Sequence, residues 1–253
     1  MSESPPTRIA VIRNPISGLS SRHRLVPAFV RALESGGTKV VILPTKGPGH
    51  AADLARSAAE DGADVLVAVG GDGTVNEILN GLIKASEGGD TRRLGIIPAG
   101  SGSDFATGIG LPTDVQEACR RIASGQSMRV DAGRVTIPGR EPRYFANVVG
   151  VGFDGAALVE TLKMKRLRGL ALYLPAVLKT IFLNFEAPMT TIEYDDERME
   201  KPTMLVSVAN GPREGGGFIV APEAKQDDGL FDLCIADAVS QLTMLRLLPH
   251  FLK

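Results

Sequence analysis

The segment best equipped for chemistry is a glycine-rich loop between an apolar run and a helical pattern. Residues 65–77 read VLVAVGGDGTVNE. Thr74 and Glu77 have the spacing of a capping box, which predicts a helix that begins just after Thr74. Free backbone N–H groups and the positive end of the helix dipole would then face the loop, and its glycines would let a phosphate approach the backbone closely. The segment therefore predicts an anion-binding site.

Asp72 stands inside this loop, where a carboxylate would repel a phosphate. Its presence is explained if it helps to hold Mg²⁺ or accepts a proton from an attacking hydroxyl group, as in a kinase. The alternative is that Gly70–Gly73 only makes a tight turn and that Asp72 is a solvated turn residue. An isolated glycine pair would favour that alternative.

Two similar loops follow other predicted strands and favour the ligand-binding interpretation. They are NPISG at residues 14–18 and PAGSGSDF at residues 98–105. Loops at the carboxyl ends of parallel strands gather in one crevice, where ligands bind. The Gly-x-x-x-x-Gly-Lys-[Ser/Thr] sequence of P-loop proteins is absent, and Phe105 stands where the dinucleotide fingerprint requires its third glycine.

Four short, nearly unbroken apolar runs predict strands that are buried on both faces of a parallel sheet. They are residues 8–12, 39–43, 65–69 and 94–97. Apolar residues recur at helical spacing in the gaps between them and again after the last run. These helical patterns cover residues 26–33, 51–59, 75–83 and 115–123. Strand alternating with helix predicts an α/β fold, with a three-layer domain over residues 1–125.

The pattern changes near Gly125, and a second, mainly β domain is predicted over residues 126–253. Its expected strands are residues 128–137, 144–150, 190–194, 203–209 and 230–236. A helical insert over residues 154–184 carries a basic cluster of Lys163, Lys165, Arg166 and Arg168 just before the apolar stretch 170–174. A last helix is predicted over residues 240–253.

Composition limits the function classes. The chain has 253 residues, 43% of them hydrophobic, and a formal net charge of -1, which disfavours nucleic-acid binding. Its two cysteines and three histidines lack metal-ligand spacing. The polar N-terminus has no signal-peptide pattern, and the most apolar stretch, residues 169–178, is shorter than the roughly 20 residues of a membrane span. We expect a cytoplasmic protein.

Five segments, taken in order, resemble the catalytic domains of diacylglycerol kinases, a family that includes bacterial lipid kinases and sphingosine kinases. The segments are residues 14–18, 70–77, 98–105, 145–154 (FANVVGVGFD) and 227–232 (DDGLFD). The resemblance implies a phosphofructokinase/NAD kinase-like N-terminal domain followed by a mainly β lipid-substrate domain. It also implies an ATP-dependent lipid kinase, which transfers the γ-phosphate of ATP to the hydroxyl of a lipid such as diacylglycerol.

The resemblance also implies site residues. The nucleotide would be lined by Asn14, Pro15, Ile16, Ser17, Gly18 and Thr45. Its phosphates would be held by Gly71, Asp72, Gly73, Thr74, Val75, Asn76, Glu77 and, from the third loop, Ser101. Asp72 would be the catalytic carboxylate. A structural Mg²⁺ would bind the Asp228 side chain and the backbone oxygens of Lys225 and Leu230, where the alternative is an ordinary Asp-Gly turn.

Two departures from the family pattern bear on this transfer. The third loop usually reads Gly-Thr-x-Asn-Asp-Phe, and serines stand here at positions 101 and 103. Family members also usually continue into strands that bear an Asp-Gly-Glu motif, whose aspartate is implicated as the general base in bacterial members. Either the chain is incomplete at its C-terminus, or Asp72 acts alone, as its counterpart is thought to do in sphingosine kinases.

Further alternatives concern partners. Residues 163–174 form either a peripheral contact with the inner membrane face or a solvated helix face that precedes a core helix. A homodimer is a further option. The rival functions are an NAD kinase, which would use the same glycine loop on a soluble dinucleotide, and a non-catalytic nucleotide or lipid sensor.

Overall fold

The computed structural model describes residues 6–17, 26–100, 103–164, 170–183, 186–247 and 249–250. The chain divides into two compact units, Met1–Ala146 and Asn147–Lys253. The division lies further along the chain than the change of pattern near residue 126, because the first unit also includes a short hairpin. The hairpin consists of β5 (Gly133–Val135) and β6 (Arg143–Phe145).

The first unit contains a four-stranded parallel sheet in the order β2-β1-β3-β4. The strands are β1 (Arg8–Arg13), β2 (Lys39–Pro44), β3 (Val65–Gly70) and β4 (Arg93–Pro98). Every residue of β3 is buried. The parallel sheet that the apolar runs predict is thus confirmed, with each strand one or two residues longer than its run. The expected burial on both faces is wrong for β2, which lies at the edge of the sheet and has no buried residue.

Helices cover both faces of this sheet. They are α1 (Val26–Ser35), α2 (His50–Glu60), α3 (Asp72–Ala85), α4 (Asp104–Gly108) and α5 (Val115–Ser124). Apolar side chains of α1 and α5 share a core with Ile9 and Val11, whereas those of α2, α3 and α4 share a core with Ala10 and Ile12. Because strand side chains alternate between faces, one strand supplies both cores. The predicted three-layer α/β domain is confirmed.

Helices α2 and α3 pack closely because small residues face each other. The buried residues of α2 are the alanines Ala51, Ala55, Ala58 and Ala59. A Cβ atom on Gly81 of α3 would collide with the carbonyl oxygen of Ala52 and would lie 2.8 Å from the Cβ of Ala55. The N-terminal half of α2 and the third turn of α3 are therefore held together beside the sheet.

The second unit is mainly β, as predicted. Its elements are β7 (Val148–Gly152), α6 (Phe153–Lys163), α7 (Leu170–Leu183), β8 (Met189–Tyr194), β9 (Glu197–Ala209), β10 (Arg213–Glu214), β11 (Phe218–Ile219), β12 (Asp232–Asp237) and α8 (Gln241–Leu247). The long strand β9 pairs antiparallel with β7, β8 and β12. None of the helices in the described part of the chain has both the length and the hydropathy that a membrane span requires.

Several predicted elements differ in extent from the structure. The strand predicted over residues 203–209 begins at Glu197, and the helix predicted over residues 240–253 is described over Gln241–Leu247. The strand predicted over residues 128–137 is reduced to β5. The strand predicted over residues 144–150 is split, because Phe145 pairs with Gly133 whereas Val148 pairs with Ala209. The insert predicted over residues 154–184 forms two helices, and the basic residues Lys165, Arg166 and Arg168 lie outside the described residues.

Candidate active site

The candidate site lies at the carboxyl edge of the parallel sheet. The chain leaves β1 towards β2 on one side and later returns to place β3 on the other side, so a topological switch point lies between β1 and β3. Open α/β sheets bind ligands at such points. Arg13 is in register with Pro44 and Val69, and Gly70 with Pro98, so the four strands end at one level and their loops share this edge.

Helix α3 starts at the glycine pair itself. It begins at Asp72, and the carbonyl of Gly71 accepts hydrogen bonds from the backbone N–H groups of Thr74 and Val75, at 2.9 and 3.1 Å. The capping box predicted from Thr74 and Glu77 is therefore wrong, because the backbone of Gly71 already initiates the helix. Thr74 is buried within the first turn, and its hydroxyl oxygen lies 3.3 Å from Nδ2 of Asn14.

Asp72 connects the second glycine loop to the third. Its Oδ2 accepts a hydrogen bond from the backbone N–H of Asp104, and its Oδ1 accepts one from Phe105, both at 3.1 Å. These two N–H groups form the start of α4, where no side chain of the preceding residue, Ser103, caps the helix. Asp72 thus caps a neighbouring helix, and a lone pair remains on each of its oxygens.

Glu77 caps the N-terminus of α2 in the same way. Its Oε1 accepts a hydrogen bond from the N–H of Gly49 at 2.9 Å, and its Oε2 accepts one from Ala51 at 3.1 Å. In the same loop, Nδ1 of His50 accepts a hydrogen bond from the N–H of Lys46 at 3.0 Å. The sequence analysis missed these contacts, because Glu77 is separated from its partners by 28 and 26 residues.

The first loop is held by Asn14. Its N–H donates to the carbonyl of Val69 at 3.0 Å, which extends the β1–β3 pairing by one residue. Its Oδ1 accepts a hydrogen bond from the N–H of Ile16 at 3.2 Å, and the Ser17 hydroxyl donates to the Asn14 carbonyl at 2.9 Å. The side chain of Ile16 is 85% exposed.

The structure therefore brings most of the predicted nucleotide residues to one edge. These are Asn14, Pro15, Ile16, Ser17, Thr45, Gly71, Asp72, Gly73, Thr74, Asn76 and Glu77. Val75 also lies there, but its side chain is buried in the core between the sheet and α2, so only its backbone faces the loops. Gly18 and Ser101 lie outside the described residues.

The predicted metal residues form an exposed turn in the second unit. Asp228 Oδ1 accepts a hydrogen bond from the N–H of Leu230 at 3.1 Å, and Gly229 has a φ of 75°. Lys225 and Leu230 are exposed. Mg²⁺ prefers oxygen donors and retains several waters, so a carboxylate and two backbone carbonyls of exposed residues suit it chemically. Within the described ranges, no group of three or more His, Cys, Asp or Glu side chains could hold a metal ion.

Comparison with known proteins identifies the family. The family model described as the diacylglycerol kinase catalytic domain matches residues 8–135, which is half of the chain. The chain belongs to the diacylglycerol kinase catalytic-domain family. A second model, described as the YegS C-terminal NAD kinase beta sandwich-like domain, matches residues 147–253. Its first residue coincides with the start of the second unit.

Curated relatives of this family cover most of the chain. A probable lipid kinase YegS-like protein of Chromohalobacter salexigens is 36% identical, over 91% of this chain and 71% of its own. A diacylglycerol kinase of Staphylococcus saprophyticus is 34% identical, over 91% and 73%. A crystal structure of a diacylglycerol kinase from Bacillus anthracis superposes with a TM-score of 0.74 at 28% identity, over 97% of this chain and 79% of that one. Together with the catalytic-domain match, these kinase relatives identify a phosphotransferase with an alcohol acceptor.

Proposed function

We propose that the protein transfers the γ-phosphate of ATP to the hydroxyl group of a lipid such as diacylglycerol. The observation that supports this most strongly is the arrangement around the start of α3. Asp72, Thr74 and Glu77 contact the loops that follow β4, β1 and β2, respectively. One helix N-terminus, which favours phosphate, is thereby surrounded by three loops that it holds in place.

Space for a phosphate is present at this helix start. Gly73 is exposed, and a Cβ atom added to it would meet nothing within 4 Å. The two carboxylates of the segment are directed at backbone N–H groups of α4 and α2, so their charges are partly compensated there. We assign the polyphosphate to the backbone of Gly71–Thr74, next to Asn14 and Thr45.

Asp72 has two roles in this proposal. It positions the loop after β4 through α4, and its remaining lone pairs would accept the proton of the attacking lipid hydroxyl or would help to hold the Mg²⁺ that accompanies ATP. That ion neutralises charge on the transferring phosphate when it is bound. The other residues of the site orient the phosphates, and orientation with electrostatic stabilisation supplies most of the catalysis of phosphoryl transfer.

The second unit is proposed to receive the lipid. Its helices α6 and α7 expose apolar side chains, Leu158, Val159, Phe182 and Leu183, with exposed fractions of 55, 52, 59 and 67%. Exposed apolar groups of this kind suit a peripheral contact with a bilayer. We also propose that Asp228, with the carbonyl oxygens of Lys225 and Leu230, holds a structural Mg²⁺ in this unit.

A second candidate acceptor is NAD, because the family model of the second unit is described by its likeness to an NAD kinase domain. The test is phosphoryl transfer from γ-labelled ATP to diacylglycerol, sphingosine, phosphatidylglycerol and NAD, with the lipids in mixed micelles. Label in a lipid supports the proposal, and label in NAD alone replaces it with the rival. ATP binding without transfer to any acceptor would favour a non-catalytic sensor.

A further inference from the structure

We infer that Arg13 supplies a cationic contact to the polyphosphate of the bound nucleotide. This inference rests on the proposed use of ATP. Arg13 is the last residue of β1 and directly precedes Asn14. Neither the five motifs nor the residues assigned through the family resemblance include it.

The position of Arg13 is central in the site. Its register partners are Pro44, the last residue of β2, and Val69 in β3, so it lies beside the switch point. Its carbonyl accepts a hydrogen bond of 2.9 Å from the N–H of Thr45. The next residue, Asn14, contacts Thr74 in the first turn of α3. The backbone of Arg13 is therefore fixed between the loops that line the proposed nucleotide.

The side chain of Arg13 has a buried hydrogen-bond donor without a partner. The residue is partly buried, and its Nε atom is buried without a hydrogen-bond partner. The ion pairs found among the described residues do not include Arg13. Arginine is rarely withdrawn from water unless it is paired, because desolvation of its charge is unfavourable. An anionic ligand would supply the missing partner.

The local charges favour a phosphate as that partner. The carboxylates at the start of α3, Asp72 and Glu77, accept hydrogen bonds from the N-termini of α4 and α2. The positive end of α3 lies at the same edge, whereas the Arg13 side chain leaves β1 on the face of Ile9 and Val11, so the two would contact a ligand from opposite sides. A guanidinium group presents N–H donors in a planar fork that matches phosphate oxygens, so a polyphosphate fits this edge better than a single carboxylate does.

The competing explanation is that Arg13 only packs its aliphatic stem beside Val69. The two explanations differ in what Arg13→Met would do. Methionine keeps an unbranched apolar chain and removes the charge. If Arg13 binds phosphate, the ligand-free variant should melt at the same temperature or higher, since an unpaired charge has been removed from a partly buried position, while its affinity for ATP falls.

The experiment is calorimetric titration of the full chain with ATP, inorganic tripolyphosphate and adenosine. We expect Arg13→Met to weaken ATP and tripolyphosphate binding by about tenfold or more, as for loss of a hydrogen bond to a charged group, and to leave adenosine binding unchanged. The affinities of Arg13→Lys for ATP and tripolyphosphate should lie between those of the wild type and those of Arg13→Met. The matched control is Arg8→Met, at the opposite, exposed end of the same strand, which should not alter any of the three affinities.

Unchanged ATP and tripolyphosphate affinities in Arg13→Met would overturn the inference, and so would an equal loss for adenosine. A wild-type chain that binds neither phosphate compound would overturn both the inference and the use of ATP. Arg13-dependent tripolyphosphate binding, combined with no transfer from ATP to any acceptor, would leave the inference standing and contradict the proposed function.

Discussion

The carboxylate of Glu77 accepts a hydrogen bond from the backbone N–H of Gly49 at 2.9 Å and so joins α3 to the start of α2. Gly49 has a φ of 81°, a left-handed conformation that favours glycine, and its loop begins with Thr45. Asp72, one turn earlier in α3, caps α4 in the same manner. The first two turns of α3 therefore hold the neighbouring loops of the site.

Replacing Glu77 tests the first of these contacts. In Glu77→Gln an amide NH₂ replaces one of the two acceptors, so either Gly49 or Ala51 loses its hydrogen bond. We expect the free energy of unfolding to fall by about 1 kcal/mol, as for loss of a helix cap, and the affinity for ATP to fall because the Thr45 loop is released. Denaturant unfolding and ATP titration measure the two effects.

The matched control for Glu77 is Glu60→Gln, at the other end of α2. Glu60 is exposed and pairs with Arg56 at 3.8 Å. Exposed pairs contribute little, so this variant should remain within about 0.5 kcal/mol of the wild type. If the two variants have the same free energy of unfolding and the same affinity for ATP, Glu77 does not position the loop.

Two glycines of α3 should respond to alanine in opposite ways. Gly81→Ala introduces a Cβ that collides with Ala52 and crowds Ala55, so we expect a loss of about 1–3 kcal/mol in the free energy of unfolding. Gly73→Ala has open space around the new Cβ and should leave the fold equally stable or up to about 1 kcal/mol more stable. A stable Gly81→Ala variant would contradict the close packing of α2 and α3.

Gly73→Ala also tests the ligand site, because the same open space is assigned to the phosphates. We expect this variant to bind ATP more weakly although its melting temperature does not fall, since the new methyl group occupies the path by which a phosphate reaches the helix start. Unaltered ATP affinity would place the phosphates elsewhere. Titration with ATP and thermal melting of the same sample separate the two quantities.

Asp64 should contribute a pH-dependent part of the stability. The Thr7 hydroxyl donates to its carboxylate at 2.7 Å, and the N–H groups of Arg8 and Thr7 donate at 2.9 Å. These bonds, with the Thr7 hydroxyl first, hold the pKa of Asp64 below its ordinary value of 3.8. The stabilisation is therefore fully present above that value and is lost as the pH falls through the lower pKa of the folded state.

The matching measurement is the difference in the free energy of unfolding between the wild type and Asp64→Asn as a function of pH. We expect the wild type to be more stable at neutral pH and the difference to shrink in acid, below the ordinary pKa of 3.8. A difference that stays constant between neutral pH and strong acid would contradict the assigned role of the carboxylate.

The sequence predicted the first unit well because its inner strands, β1 and β3, are buried on both faces. Runs such as residues 65–69 have no competing interpretation. The apolar residues of α1 recur at helical spacing and all reach the core, namely Val26, Phe29, Val30 and Leu33. The second unit was harder, because the extents of its strands depend on partners distant in sequence. Phe145 and Val148 are three residues apart and pair in different sheets.

The sequence predicted which loops meet at one edge of the sheet, but not the contacts between them. The glycine loops after the apolar runs predicted this meeting, since the ends of parallel strands share one edge, and phosphate binding there stays a prediction. The roles of Asp72 and Glu77 could not be foreseen, because each caps a helix from another part of the chain. Local spacing instead suggested a capping box with Thr74, which the structure contradicts. The sequence did not predict a role for Arg13, because no sequence pattern reveals which side chains lack a hydrogen-bond partner.

The central claim is tested most directly by transfer of label from γ-labelled ATP to diacylglycerol, measured for the wild type and for Asp72→Asn under identical conditions. The asparagine keeps one acceptor for α4 and removes the charge, so the variant should remain folded and bind ATP. We predict labelled lipid from the wild type and a loss of at least about 100-fold in the transfer rate for the variant. Equal transfer rates for the two proteins would contradict the role of Asp72, and unlabelled lipid from a wild type that binds ATP would contradict the assignment of diacylglycerol as the acceptor.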